Sequence, residues 1–157
     1  MDDLLLARAL HVLAVVHWIG GVAMVTLVIL PALRAFGADA DWLALFERLE
    51  GRFSRQAKVS VAVAGLSGFY LAWRLDLWAC FAHPEYWWMH AMVVVWALFA
   101  FILFVAEPLF LHAWFHRRAE RAPVATFTLV LRAHRVLLAV AAVTVLGAVA
   151  GSHGWMM

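Results

Sequence analysis

Charged residues are scarce in this chain of 157 residues: they make up 14% of it, against about 25% in an ordinary soluble protein. There is a single cysteine, Cys80, which excludes a disulfide-stapled scaffold. The formal net charge of +2 gives no basis for nucleic-acid binding. Apolar residues are in excess instead, at 67%. A soluble domain of about 150 residues buries only about 70% of its surface, so the composition indicates an integral membrane protein.

Four apolar stretches approach the length of about 20 residues that a membrane-spanning helix needs. They cover residues 9–33, 59–78, 87–106 and 136–151. No second domain, internal repeat or low-complexity segment is visible. The sequence therefore predicts an all-α fold, an integral membrane four-helix bundle that occupies residues 1–157 as a single domain.

The basic residues predict how the bundle is oriented. Of the 12 lysines and arginines, all but Arg8 and Arg74 fall in the connection between the first two spans or in that between the last two. Basic residues concentrate on the cytoplasmic side of membrane proteins. Both connections are therefore expected in the cytoplasm and both termini outside, with the lipid bilayer of a bacterial inner membrane as the setting.

The inner connections carry helical patterns of their own. After Asp41, a possible N-cap, apolar residues recur at helical spacing from Trp42 to Phe53, which predicts a short helix lying in the membrane interface. The third helix is expected to continue past Pro108, and the fourth to begin before it enters the membrane.

Histidines are the unexpected residues in so apolar a chain. Ionisable groups within a span are costly and usually mark a site. His11 lies about 10 Å and His90 about 5 Å below the outer ends of their helices, at about 1.5 Å of rise per residue, so both rings can approach one level from different helices. That arrangement suits the two axial ligands of a haem, with Arg8 and Arg74 available for its propionates and Trp18 and neighbouring aromatic residues as walls.

Other polar residues leave alternatives open. His17 lies about 9 Å deeper than His11 and about 120° around the helix, so it is not expected to share a metal with His11. Each membrane histidine could instead hydrogen-bond a neighbouring helix. A further set at the rims could hold metal or simply be solvated: His112, His116, His134 and His153. Glu107 is read as an interfacial acid or a proton-relay group.

Small residues and sulfur ligands support competing interpretations. Gly20, Gly21 and Gly65 permit close approach of a helix or a flat ligand, and Gly147 with Gly151 forms a small-residue pair that could join two copies of the chain. Thiolate and thioether ligands favour Cu(I). The possible copper ligands on the outer side are Cys80, His83, Met89, His90, Met92, His153, Met156 and Met157.

Short motifs resemble the CopD-like and HemJ-like membrane proteins. Residues 8–11 (Arg-Ala-Leu-His), 18–21 (Trp-Ile-Gly-Gly) and Pro31 resemble their first helix, residues 52–55 (Arg-Phe-Ser-Arg) the entry to the CopD-like second helix, and residues 88–90 (Trp-Met-His) the start of the HemJ-like third helix. Met92 stands where a lysine follows in HemJ-like proteins, which argues against protoporphyrinogen oxidase activity. The resemblance implies a four-helix protein that binds haem b, with His11 and His90 as its ligands.

The expected function is electron transfer by a haem b protein, as a possible oxidoreductase that takes electrons from a quinol or another membrane-soluble reductant. A copper-handling or copper-transport protein is one alternative. A non-catalytic subunit or assembly factor of a respiratory complex is another. The partners to consider are a quinone or quinol, an electron-transfer protein and a second copy of the chain, with no role for nucleic acid.

Overall fold

The computed structural model describes residues 2–35 and 42–155, and within them the chain is helical and contains no β-strand. The α-helices are α1 (Asp2–Met24), α2 (Leu30–Ala35), α3 (Trp42–Arg74), α4 (Trp87–Phe101), α5 (His112–Arg121) and α6 (Pro123–Ser152). Wider π-helical segments, Val25–Ile29 and Ile102–Leu111, join α1 to α2 and α4 to α5 without a break. Two short 3-10 turns, Leu77–Ala82 and Pro84–Tyr86, connect α3 to α4.

Each π-helical segment is associated with a proline. Pro31 follows the first segment by two residues, and Pro108 lies inside the second. Proline has no N–H to donate and its ring crowds the carbonyl four residues earlier, so the helix cannot keep its regular hydrogen bonds there. In the first segment the backbone N–H of Leu30 bonds the carbonyl of Val25 instead, five residues back. The helices thereby continue through their prolines.

The described helices form a closed bundle. Helix α1 packs along α3 and also contacts α6, while α4 packs along α6 and also contacts α3. Asp3 meets Arg74 at one end of the bundle, and Trp87 and Trp88 meet α6 near Gly147 and Gly151. We call this end, which carries the first and the last of the described residues, the terminal end, and the other the distal end.

Two apolar clusters fill the bundle interior. One, in the middle, contains Trp18 and Val22 of α1, Val61 of α3, Phe99 of α4 and Ala141 of α6. The other lies towards the distal end and is built mainly by Val25, Leu30, Leu33, Phe127 and Leu131. Residues of α1, α3, α4 and α6 meet in the middle cluster, and the partly buried Phe53 packs against both clusters.

The outer surface of the bundle is apolar. Large side chains such as Leu13, Val94, Leu109 and Leu146 are exposed, whereas most of the serines and threonines are buried inside: Thr26, Ser54, Ser60, Ser67, Thr126 and Thr144. Three helices are long and apolar enough to cross a membrane, namely Asp2–Arg34, Pro84–Arg121 and Pro123–Ser152. The helical, membrane-type character predicted from composition is confirmed to that extent. Helix α3 has the length but is not among these three.

The prediction of a separate, short interfacial helix was wrong. The segment from Trp42 continues without interruption into the second predicted span and ends at Arg74, because no proline divides it and an isolated glycine such as Gly51 is tolerated within a helix. Asp41, the predicted N-cap, lies outside the described residues. The second helix also ends earlier than predicted, at a turn where Asp76 adopts a left-handed conformation (φ 50°), which Asp tolerates better than most residues do.

Two other predictions about the connections are confirmed. The helix that begins as α4 continues past Pro108, through the π-helical segment and α5, as far as Arg121. Helix α6 begins at Pro123, well before the apolar stretch that starts at residue 136. Proline suits this first position of a helix because its missing N–H has no helical partner there in any case.

Candidate functional site

Two histidines of α1 face two serines of α3. His11 Nδ1 lies 2.9 Å from the carbonyl oxygen of Ala64 and 3.1 Å from Ser67 Oγ. Six residues along α1, His17 Nδ1 lies 2.8 Å from Ser60 Oγ. The two helices run antiparallel, so the deeper histidine meets the earlier serine. We call these four side chains the histidine–serine seam.

The partners of His11 determine where its proton sits. A backbone carbonyl only accepts hydrogen bonds, so the Nδ1 that faces Ala64 carries the hydrogen. Ser67 donates its own hydroxyl hydrogen to the carbonyl of Val63 at 2.6 Å, which leaves its oxygen free to accept from the same Nδ1–H. His11 Nε2 therefore presents a lone pair, and it has no hydrogen-bond partner among the described residues.

The ring of His11 also fits closely against α3. It is partly buried, and a Cβ placed on Gly68 would lie 3.0 Å from its Cε1 atom. Histidines that ligate metals typically donate their other ring N–H to a carbonyl or carboxylate, which fixes the ring. The ring of His11 is held in that manner, with a lone pair available on Nε2.

His90 is held differently, by the connection between α3 and α4. Its Nε2 lies 3.0 Å from the carbonyl oxygen of Phe81, and its Nδ1 lies 3.3 Å from the carbonyl oxygen of Tyr86. A neutral imidazole carries one N–H, so it can donate to only one of these two oxygens. The structure thus gives His90 more acceptors than it can satisfy, and neither of its nitrogens is hydrogen-bonded to a described residue of α1.

The two arginines predicted to bind propionates have different surroundings. Arg74 binds Asp3 through Nη2 at 2.8 Å and also contacts the hydroxyl of Tyr70, so it closes α3 against α1 at the terminal end. Arg8 is exposed beside a shallow apolar groove along α1 that includes Leu5 and Val12. Among the described side chains, no carboxylate pairs with Arg8.

Trp18, predicted as a wall of the haem site, lies in the middle of the core. Its side chain is 4% exposed and its ring meets that of Phe99 edge to face, with centroids 4.8 Å apart. Its indole Nε1 is buried and has no hydrogen-bond partner in the described part of the chain. Buried polar atoms are nearly always bonded, so this donor, seven residues from His11 on the same helix face, indicates an acceptor that the described residues do not supply.

The small residues are mostly used for packing within the chain. A Cβ on Gly21 would meet the ring of Phe53, and one on Gly65 would meet the indole of Trp96. Gly147 and Gly151 are covered by Trp87 and Trp88 of the same chain, so this pair is not available to join two copies in the way the sequence suggested. The closely packed neighbours of these glycines in the described chain are aromatic rings.

A second polar group lies near the distal end, where the π-helical segment carries Glu107. Both carboxylate oxygens of Glu107 lie 2.7 Å from Ser54 Oγ, and Lys58 Nζ lies 3.5 Å from Oε1. Ser54 is buried, while the side chains of Lys58 and Glu107 are about one-third exposed. The sequence singled out Glu107 but not its partners, which lie about 50 positions away.

Replacing Glu107 isolates the value of its charge, because Glu107→Gln retains an oxygen that accepts from Ser54. We expect Glu107→Gln and Lys58→Met each to lower the free energy of unfolding, and the double variant to lose less than the sum. The coupling should be about 0.5–1 kcal/mol, as for partly exposed ion pairs. Unfolding titrations in detergent measure it, with exposed Glu120→Gln as a control. Strictly additive losses would show that the pair does not contribute.

The remaining predicted ligands do not gather into one site. His134 Nδ1 and His153 Nδ1 each face a carbonyl of their own helix, those of Val130 and Val149. The rings of His112 and His116 contact each other, with centroids 4.7 Å apart. Within the described residues, no three His, Cys, Asp or Glu side chains group as a metal site would require.

The proposed copper ligands are likewise dispersed. Met89 is buried in the bundle, His83 pairs with Glu85 at 3.2 Å, and Cys80 is a free thiol. Met156 and Met157 lie outside the described residues. Of the predicted histidine ligands, His11 is the partly buried one whose Nδ1 is bonded to a neighbouring helix and whose Nε2 has no partner among the described residues.

Compared with known protein families, with curated proteins and with solved structures, the chain gives no match.

Proposed function

We propose that this chain is a four-span protein of the bacterial inner membrane that binds haem b and transfers electrons from a membrane-soluble quinol. The observation that carries the proposal is the geometry of His11. Its Nδ1–H is held by Ala64 and Ser67, and its Nε2 lone pair is unbonded among the described residues. An imidazole prepared in this way is suited to bind iron.

The fourth span in this proposal is α3. Its polar residues Ser54, Ser60 and Ser67 are buried and bonded to other helices, whereas its outward residues include large apolar side chains. A lipid-facing helix is expected to have this distribution, because unbonded polar groups are costly in hydrocarbon. With α3 crossing the membrane, the arginine distribution puts both termini on the outer, periplasmic side.

The residues meet some requirements of a haem site as they stand. His11 would be one residue that holds the iron, Arg8 is an exposed cation towards the terminal end, and the indole N–H of Trp18, unbonded among the described residues, lies two turns from His11. His90 is the proposed second ligand. Its Nε2 would be the atom that binds iron, and its Nδ1–H would donate to the carbonyl of Tyr86. A bound haem would supply a one-electron redox couple.

The protein's own residues would fix the ligand and limit its contact with water. The two acceptors on Nδ1 hold the His11 ring in one tautomer and one orientation, and Gly68 of α3 lies directly beside the ring. A quinol that is oxidised to a quinone gives up two electrons and two protons. Each copy of the protein would accept one electron, and both protons would pass to solvent.

Anaerobic mixing of the purified chain with a water-soluble quinol tests this function. We expect the quinol to reduce the bound haem, with two chains reduced for each quinol consumed. Haem that is present but is reduced only by dithionite would contradict the electron-transfer role. Copper without haem in the purified chain would favour the copper-handling alternative, and neither cofactor would favour a structural subunit.

A further inference from the structure

The outward face of α3 changes character along its length. Near the distal end it carries Arg52, Arg55 and Gln56, all exposed, which together with Val59 form one open patch of the helix surface. Further along, the same face carries Val59, Leu66 and Trp73, which are 65%, 76% and 64% exposed. Each of these lies seven residues from the next, so they form one stripe down the helix.

This face of α3 is chemically complementary to a phospholipid. Two guanidinium groups and an amide are hydrogen-bond donors suited to phosphate oxygens. The apolar stripe continues from them along the helix for 14 residues, about 21 Å at the usual rise, a length suited to an acyl chain. No described carboxylate pairs with Arg52 or Arg55, so their charges are not neutralised by the described part of the chain.

We propose that Arg52, Arg55 and Gln56 form a binding site for the headgroup of an anionic phospholipid in the inner leaflet, whose acyl chain lies along Val59 and Leu66. A phospholipid fits this site better than free phosphate does, because the hydrogen-bond donors and the apolar stripe adjoin on one face of α3. It rests on the proposed crossing of α3 and does not depend on haem.

Lipid binding to the purified full chain tests the site. The chain in detergent is titrated with phosphatidylglycerol or with phosphatidylcholine of the same acyl chains, and bound lipid is counted by native mass spectrometry. We expect the wild type to prefer phosphatidylglycerol. A basic residue near an anionic membrane surface contributes about 1 kcal/mol, so Arg52→Gln/Arg55→Gln should weaken phosphatidylglycerol binding by about 30-fold, with phosphatidylcholine unaffected.

The matched control is Arg132→Gln/Arg135→Gln. It removes two exposed arginines with the same spacing from α6, and we expect it to leave the preference for phosphatidylglycerol intact. Equal losses in both double variants would overturn the proposal, because they would indicate diffuse attraction to any basic surface. Competition by inorganic phosphate as effective as that by lipid would overturn it too, since the stripe would then contribute nothing. The single variants Arg52→Gln and Arg55→Gln, each expected to lose about fivefold, keep the test available if the double variant does not fold.

Failure of this site can be told apart from failure of the proposed function. Haem content and quinol oxidation should not change in Arg52→Gln/Arg55→Gln. The crossing of α3 is tested separately by thiol labelling near both of its ends, at Gly51→Cys in a Cys80→Ser background and at the native Cys80, which lies just beyond Arg74. We expect Gly51→Cys to be labelled from the cytoplasmic side and Cys80 from the outer side. Lipid selectivity that is absent although the two positions are labelled from opposite sides would refute the lipid site alone.

Discussion

Replacing His11 by alanine should abolish haem binding. The variant loses the partly buried imidazole whose Nδ1–H is bonded to α3 and whose Nε2 is unbonded among the described residues, so its haem affinity should fall by more than about 100-fold, beyond the loss typical for residues that only support a ligand. The haem-to-protein ratio of the purified variant, compared with the wild type, measures the effect. His90→Ala should also lose the low-spin haem spectrum.

A pair of serine variants makes this prediction sharper. Ser67→Ala removes one of two acceptors from the Nδ1–H of His11 and leaves the carbonyl of Ala64, so we expect a loss of about 10-fold in haem affinity. Ser60→Ala makes the same chemical change at the other serine of the histidine–serine seam, where it removes the partner of His17. We expect it to leave the haem affinity unchanged. Equal effects of the two serine variants would indicate general damage to α1–α3 packing instead of support of a ligand.

Adding one methyl group at Gly21 should destabilise the bundle. A Cβ there would meet the side chain of Phe53, which packs against both core clusters, and overfilling a packed interior costs about 1–3 kcal/mol. We therefore expect Gly21→Ala to lower the free energy of unfolding by that amount.

The neighbouring glycine provides a matched control for Gly21→Ala. A Cβ on Gly20 would have no atom within 4 Å, so Gly20→Ala should be neutral or stabilising by about 0.5–1 kcal/mol, since alanine is the better helix former. Unfolding titrations of both variants in the same detergent measure the difference. A destabilisation by Gly20→Ala as large as that by Gly21→Ala would show that this packing does not govern stability.

The helical architecture was largely predictable from the sequence, because it depends on local properties. Apolar stretches of sufficient length predicted the membrane-type helices, and the basic positions gave a hypothesis for their orientation. The sequence pattern did not predict that α3 runs unbroken from Trp42 to Arg74. The charged residues between Trp42 and Lys58 suggested a separate surface helix, but part of that segment is bonded to the π-helical segment through Ser54 and Glu107, a contact between distant parts of the chain.

The candidate site was predictable in its residues but not in its pairings. His11 and His17 stood out because histidine is costly within a span. Their serine partners on α3 depend on the alignment of two antiparallel helices, although the similar spacings, six residues between the histidines and seven between the serines, offered a signal. The surroundings of His90 could not be predicted, because a 3-10 turn supplies the carbonyl of Phe81. That Trp87 and Trp88 cover the glycines of α6 likewise follows from packing rather than from sequence pattern.

The most direct test of the central claim is the reduced-minus-oxidised absorption spectrum of the purified full chain, recorded together with its haem-to-protein ratio. We expect the bands of a low-spin b-type haem at about one haem per chain, as a site with two histidine ligands implies. A colourless protein that binds no haem when haem is supplied would contradict the account.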